Sequence, residues 1–117
     1  MAASENDEGL FFQYEGREIQ VDEDGHLVNV DDWSEGLALA IADAEGIEMT
    51  EAHWEIVNFV RDYYKQFHVT LALKPLLTEV GKKLGPGKGG TKYLYNLFSD
   101  KPTRLANKIG GLPRPIG

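Results

Sequence analysis

The residues that could carry out chemistry directly are few, because the sequence contains three histidines and no cysteine. Without a thiol, these 117 residues provide no thiolate nucleophile, no disulfide and no cysteine-containing zinc site. His26, His53 and His68 have no i, i+4 partner and no carboxylates at ligand spacing, so they do not indicate a metal site. Serine contexts such as G-x-S-x-G are absent too. We therefore expect no metal, no cofactor and no self-sufficient catalytic centre.

A glycine-rich run at residues 85–90 formally matches the G-x-G-x-x-G pattern of dinucleotide sites. That pattern requires a strand before it and a helix after it, within a βαβ unit. Here a helical pattern precedes the run, and the chain has little strand signal. The run therefore indicates a flexible connector rather than a nucleotide site.

The C-terminal residues 108–117 are the segment best suited to binding another molecule. Gly110 and Gly111 allow the backbone to turn freely, and Pro113-Arg114-Pro115 then fixes two φ angles and removes two amide donors. We expect an extended, exposed and mobile arm over residues 108–117. The body is then a single domain over residues 10–107, preceded by a disordered acidic tail at residues 1–9.

The elements that must support this arm are mostly helical. Alternating apolar residues on either side of Glu15-Gly16 predict a small β-hairpin, and five segments with helical periodicity follow. Thr50 is expected to cap the longest helix, Thr91 a short one, and Pro102 to begin the last. Pro75 predicts either a late start or a bend in the third helix. The expected fold is mainly α, an orthogonal bundle of about five helices with an N-terminal hairpin; the helices are predicted at residues 34–45, 51–67, 71–84, 92–98 and 102–110.

The charges are distributed unevenly along the chain. Residues 1–60 hold 16 of the 19 acidic residues, whereas residues 61–117 hold 11 of the 12 Lys and Arg residues. These charges either solvate the surface or form a basic face for an acidic protein or, less favoured, for nucleic acid in a helix-turn-helix-like arrangement. No membrane span or export signal is evident, so a cytoplasmic location is expected. The residues expected to bind partners are Lys74, Lys82, Lys83, Lys92, Arg104, Lys108, Gly111, Leu112, Pro113, Arg114 and Pro115.

Several motifs resemble those of the TusE/DsrC family of sulfur-relay proteins, over residues 12–117. They include Tyr14-Glu15-Gly16-Arg17, the Trp54 and Tyr63-Tyr64 region of the longest helix, Gly81-Lys82-Lys83-Leu84-Gly85, the Tyr93 helix and the C-terminal segment. The resemblance implies a helical fold with a mobile arm whose cysteine carries a persulfide. It also implies a sulfur-donor carrier protein and a sulfur-acceptor enzyme as partners, in tRNA thiolation or in a sulfite reductase-type complex.

The sequence departs from that family pattern at the sulfur-carrying positions. The arm cysteine would follow Gly117, and Asn107 occupies the position of the second cysteine found in DsrC-like members. Three hypotheses remain open. The protein is a carrier whose cysteine lies beyond residue 117, a cysteine-free regulator that binds the same partners or DNA, or a structural subunit of a sulfite reductase-like complex.

Overall fold

The computed structural model describes residues 10–88, 90–99 and 101–113. Two strands are followed by five α-helices, with short 3₁₀ turns at Val30–Asp32 and Pro86–Lys88. The mainly helical fold with a small N-terminal hairpin is the fold class predicted from the sequence. The elements are β1 (Leu10–Tyr14), β2 (Arg17–Val21), α1 (Glu35–Ala44), α2 (Glu51–Phe67), α3 (Leu73–Leu84), α4 (Thr91–Phe98) and α5 (Pro102–Ile109).

The hairpin is antiparallel, with Phe12 opposite Ile19 and Tyr14 opposite Arg17. Its two-residue turn, Glu15-Gly16, has positive φ at both positions, as a type I′ turn requires. The register places Ile19 in the core while Phe11 stays about half exposed. One face of the hairpin thus covers the helices.

Side-chain caps fix where the first two helices begin. Ser34 Oγ accepts a hydrogen bond from the amide of Leu37 at 3.1 Å, which satisfies a donor in the first turn of α1. In α2, the amide of Thr50 donates to Nδ1 of His53 at 3.1 Å. Nε2 of the same histidine donates to the carbonyl of Leu97 at 2.7 Å, so His53 ties the start of α2 to α4. His53 is thus a buried capping residue.

Helix α3 begins at Leu73, two residues later than the apolar pattern at Leu71. Pro75 is therefore its third residue, where an amide has no intrahelical acceptor, and the proline removes no helical hydrogen bond. The late start expected from Pro75 is confirmed.

Two local expectations about the connector and α4 were wrong. The connector after α3 forms a 3₁₀ turn, and Lys88 Nζ lies 2.7 Å from Glu55 Oε1, so this part is attached to α2 rather than loose. The hydrogen bond that Lys88 donates to Glu55 raises the pKa of Lys88. Thr91 is the first residue of α4 and Gly90 precedes it as the cap, because the helix begins one residue earlier than the Thr91 cap predicted.

The last helix lies at the centre of the bundle. Helix α5 contacts α1, α2, α3 and α4, although it has only eight residues. Its residues Ala106, Asn107 and Ile109 are fully buried, and Pro102 at its first position fits the start of a helix. The chain that leaves α5 therefore starts from the middle of the core. None of the described helices is long and apolar enough to cross a bilayer.

Candidate functional site: the exit from the last helix

The chain leaves α5 through residues 110–113, which we call the exit segment. The amide of Gly111 donates to the carbonyl of Lys108 at 3.1 Å, and the amide of Leu112 donates to that of Asn107 at 2.9 Å. With Gly111 at φ +71°, this pattern is a Schellman-type helix end, which satisfies carbonyls that the helix leaves free. Leu112 is only 2% exposed, whereas Pro113 is exposed.

This geometry corrects the expectation of an exposed arm beginning at residue 108. Lys108 and Ile109 belong to α5, and Gly111 and Leu112 are buried in the body. The burial of Leu112 supplies the apolar contact that commonly accompanies such a helix end. Arg114, Pro115 and the residues up to Gly117 lie outside the described part of the chain.

Three side chains from distant parts of the sequence donate hydrogen bonds to carbonyls at the end of α5 and in the exit segment. Trp33 Nε1 donates to the carbonyl of Ile109 at 2.8 Å. Arg61 Nη1 donates to that of Gly110 at 2.7 Å. His26 Nδ1 lies 3.0 Å from the carbonyl oxygen of Leu112 and, facing an acceptor, donates to it. We call His26, Trp33 and Arg61 the carbonyl clamp.

The clamp residues also support one another. The guanidinium carbon of Arg61 lies 3.7 Å from the centre of a Trp33 ring, a cation–π contact worth about 0.5–2 kcal/mol. Partial burial lowers the pKa of Arg61, an effect opposed by Asp62, but a guanidinium stays charged in proteins. Hydrogen bonds from charged donors contribute about 1.5–3 kcal/mol. The Gly110 carbonyl is thus the most strongly held of the three.

Trp33 also leaves no space beside Gly111. A Cβ atom at residue 111 would lie 2.4 Å from Cδ1 of Trp33 and 2.8 Å from its Cβ and Cγ. Since φ of +71° is unfavourable for any residue with a Cβ, glycine is required at this position for two independent reasons.

His26 is fully buried, and its tautomer follows from its hydrogen bond to the carbonyl of Leu112. Because Nδ1 carries the proton given to Leu112, Nε2 of the neutral ring is an acceptor, and no hydrogen-bond partner for it occurs among the described residues. Burial lowers the pKa of His26, and the nearby charge of Lys108 lowers it further. The hydrogen bond to Leu112 and the carboxylates of Asp22 and Asp24 act in the opposite direction and raise it. The ring is therefore held neutral at neutral pH.

Lys108, predicted to bind partners, is engaged within the protein. Its ammonium group forms an ion pair with Glu45 at the end of α1, and both side chains are less than one third exposed. The aliphatic part of the lysine lies against Gly25, where an added Cβ would be 2.6 Å from Lys108 Cε. Lys108 therefore ties α5 to α1 and to the turn after the hairpin.

The other predicted residues do not gather around the exit segment. Lys74, Lys82 and Lys83 lie on α3, while Lys92 and Arg104 are exposed on α4 and α5. Within the described chain, no hydrogen bond or ion pair joins any of these five to residues 109–113. Lys82 instead lies 3.7 Å from Glu79.

Asn107 is fully buried, where the resemblance placed a second cysteine. Its side-chain Nδ2 donates to the carbonyl of Thr103 at 2.8 Å. Its backbone carbonyl accepts a hydrogen bond from the amide of Leu112. Asn107 thus contributes to the end of α5 and faces the interior.

The clamp residues were not predicted from the sequence. Their sequence signal is weak, because His26 and Trp33 follow turns and Arg61 interrupts the apolar pattern of α2. In the described ranges, no group of three or more His, Asp or Glu side chains is arranged to hold a metal ion.

The comparisons with known proteins agree with this architecture. A family model described as "DsrC like protein" matches residues 13–117. The chain belongs to this family. Among curated relatives, sulfurtransferase TusE of Photorhabdus laumondii is 44% identical over 107 residues, covering 92% of this chain and 96% of that protein. TusE of Escherichia coli K12 is 45% identical over 103 residues, covering 88% and 94%.

Solved structures of DsrC proteins have the same fold. The solution structure of Allochromatium vinosum DsrC matches with a TM-score of 0.85 and 42% identity, covering 93% of this chain and 97% of that one. The oxidized γ-subunit of dissimilatory sulfite reductase (DsrC) from Archaeoglobus fulgidus matches with a TM-score of 0.80 and 33% identity, covering 92% and 98%. The resemblance noted in the sequence is thus confirmed, and the protein is a member of the TusE/DsrC sulfur-relay family.

Proposed function

We propose that this protein is a sulfur-relay component that docks on a sulfur-donor carrier and a sulfur-acceptor enzyme through the segment that begins at Pro113. The observation that carries the proposal is the clamped exit from α5. Three side chains fix the backbone up to Leu112, so a partner would meet Pro113, the first residue of the docking segment, at a constant position relative to the body. Reduced conformational freedom lowers the entropic cost of association.

The proposed chemistry is transfer of the outer sulfur of a persulfide. An acceptor thiolate attacks that sulfur, a new S–S bond forms, the old S–S bond breaks, and the carrier's thiolate leaves, so no external oxidant or reductant is needed. The 117 residues contain no cysteine, so none of them can hold the persulfide. The carrier form of the proposal therefore requires a cysteine after Gly117.

Mass spectrometry of the protein isolated from its natural source tests the carrier form. We expect a mass above that of residues 1–117 and one thiol that reacts with iodoacetamide. A mass equal to these 117 residues would instead support a cysteine-free regulator that binds the same partners.

Docking is tested with a variant that ends at Leu112, which keeps the whole clamp. We expect the full-length protein to retain sulfurtransferase or sulfite reductase-type proteins from a lysate of the source organism, and the shortened variant to lose them while unfolding at the same temperature. Equal retention by both proteins would refute docking through the C-terminal segment. Fractionation of the same cells checks the proposed cytoplasmic location.

Two alternatives share this fold. A structural subunit role is favoured by the likeness to a sulfite reductase γ-subunit and predicts stoichiometric copurification with such an enzyme. Binding of DNA through the basic residues of α3 and α4 predicts a salt-dependent gel shift. The absence of a shift at low salt would exclude it.

A further inference from the structure

A pocket of about 330 Å³ lies directly beside the exit segment. Its wall includes Leu112, the last buried residue before the C-terminal segment, together with Arg61 and Tyr64 of α2. A volume at the lower end of the roughly 300–1,000 Å³ typical of ligand sites suits one or two side chains rather than a cofactor. We call this concavity the α2 pocket.

The charges around the α2 pocket are mainly positive. Arg61 and Lys65 line it from α2, at i and i+4, which places them along one helix face, and His68 lines it from the position just after the helix. Asp31 lines it from the 3₁₀ turn at Val30–Asp32 and is the one acidic residue among its described lining residues. Lys65 and His68 are exposed, and no ion pair occupies Lys65 within the described chain.

The positive charge of the α2 pocket contrasts with the acidic sequence that precedes Arg61. Arg61 is the first Lys or Arg after Arg17, and the intervening residues 18–60 carry 12 acids. The pocket therefore presents positive charge at the border of a strongly acidic half of the chain. An acidic partner is steered toward such a feature and away from the rest of that half.

We propose that the α2 pocket receives an acidic peptide segment of the protein that engages the C-terminal residues. A carboxylate placed there can accept hydrogen bonds from Lys65 and from guanidinium N–H groups of Arg61 that do not donate to the Gly110 carbonyl. The aromatic ring of Tyr64 offers an apolar surface for the methylene groups beside the carboxylate. The inference rests on the proposed docking function and supplies a second point of contact beside it.

Nucleic acid fits the pocket less well. Phosphate backbones are bound by extended sets of cations, commonly about 6–10 contacts, whereas the described lining of this concavity includes Arg61, Lys65 and one carboxylate, Asp31. A small concave site with mixed lining is typical of side-chain recognition.

The first experiment uses acetyl-Glu-Glu-Glu-amide as the probe, with acetyl-Lys-Lys-Lys-amide as the control peptide. In titrations followed by ¹⁵N NMR of the full chain, we expect the acidic peptide to shift the amide signals of Lys65, His68 and Leu112 and the Arg61 side-chain signal in a saturable manner. Shifts spread equally over Lys74, Lys82 and Lys92, or equal shifts with the basic peptide, would overturn the proposal. A DNA oligonucleotide that competes for the same signals would also overturn it.

The second experiment compares two charge reversals in the full chain. Lys65→Glu removes a cation from the pocket, whereas Lys101→Glu changes an exposed lysine at the opposite end of α5 by the same charge. We expect Lys65→Glu to weaken binding of the acidic peptide and of the captured relay partner about tenfold, in keeping with loss of a charge-assisted hydrogen bond, and Lys101→Glu to change neither more than about twofold.

The outcomes separate this inference from the proposed function. If the relay partner binds wild-type protein and Lys65→Glu equally, the pocket proposal is wrong while docking through the C-terminal segment stands. If no relay partner is captured at all, the proposed function fails, and the peptide titration still decides whether the pocket selects acidic peptides. Equal urea midpoints for the two variants show that neither result reflects unfolding.

Discussion

Replacement of Gly111 by alanine tests the packing of the exit segment most sharply. The residue has φ +71°, and the new Cβ would lie 2.4 Å from Cδ1 of Trp33. The left-handed conformation costs a non-glycine residue about 1–2 kcal/mol. Displacement of the indole adds about 1–3 kcal/mol, the usual cost of overpacking. We expect Gly111→Ala to lower the free energy of unfolding by about 2–5 kcal/mol in total.

Gly46→Ala is the matched control. Gly46 also follows a helix, has φ +77°, and has nothing within 4 Å of an added Cβ. It should therefore show only the conformational cost of about 1–2 kcal/mol. The difference between the two variants isolates the contact with Trp33.

Urea unfolding followed by far-UV circular dichroism measures both variants at one pH and temperature. We expect Gly111→Ala to be less stable than Gly46→Ala by about 1–3 kcal/mol, with unchanged m-values. For a domain of this size, the difference corresponds to a fall in Tm of roughly 4 °C for each kcal/mol. Equal losses in the two variants would refute the claim that Trp33 packs against the exit segment.

Three further predictions concern the side chains that hold the end of α5 and the exit segment. Trp33→Phe should lower the unfolding free energy by about 1–3 kcal/mol, because the buried carbonyl of Ile109 loses its donor; an unchanged urea midpoint would contradict this. Since burial lowers the folded-state pKa of His26, the unfolded state binds more protons below about pH 6.5, and stability should fall on acidification by up to about 1.4 kcal/mol per pH unit. His26→Asn should reduce that pH slope in urea unfolding from pH 7.5 to 5.5, and an identical slope would be inconsistent with a buried neutral ring. Finally, a double-mutant cycle on Lys108 and Glu45 should give a coupling of about 0.5–1 kcal/mol that decreases in 1 M salt, and a salt-independent value would show that the ion pair is not formed in solution.

The sequence predicts the helices well because their signals are local. Helix α2 follows from an apolar face and a Thr50 cap, and the late start of α3 follows from one residue, Pro75. The hairpin follows from Glu15-Gly16 between alternating residues. Each of these features depends on neighbours within a few positions.

The exit segment could not be predicted in the same way. Its two glycines indicate local freedom, yet Leu112 is buried by contacts with residues far away in the chain. Its carbonyl bonds to His26, 86 residues earlier, and that of Ile109 bonds to Trp33, 76 residues earlier. Nothing in a run of ten residues reveals such partners. The prediction of an exposed arm was therefore wrong for residues 108–112, and residues 114–117 lie outside the described part of the chain.

The central claim is that the folded body of the protein extends through Leu112. Amide hydrogen exchange by NMR tests it most directly, because the amides of Gly110, Gly111 and Leu112 all donate to helix carbonyls. We predict that these three amides exchange slowly in the wild-type protein and faster in Trp33→Phe. Exchange of all three at the rates of an unstructured peptide would contradict the clamp and, with it, the fixed docking position.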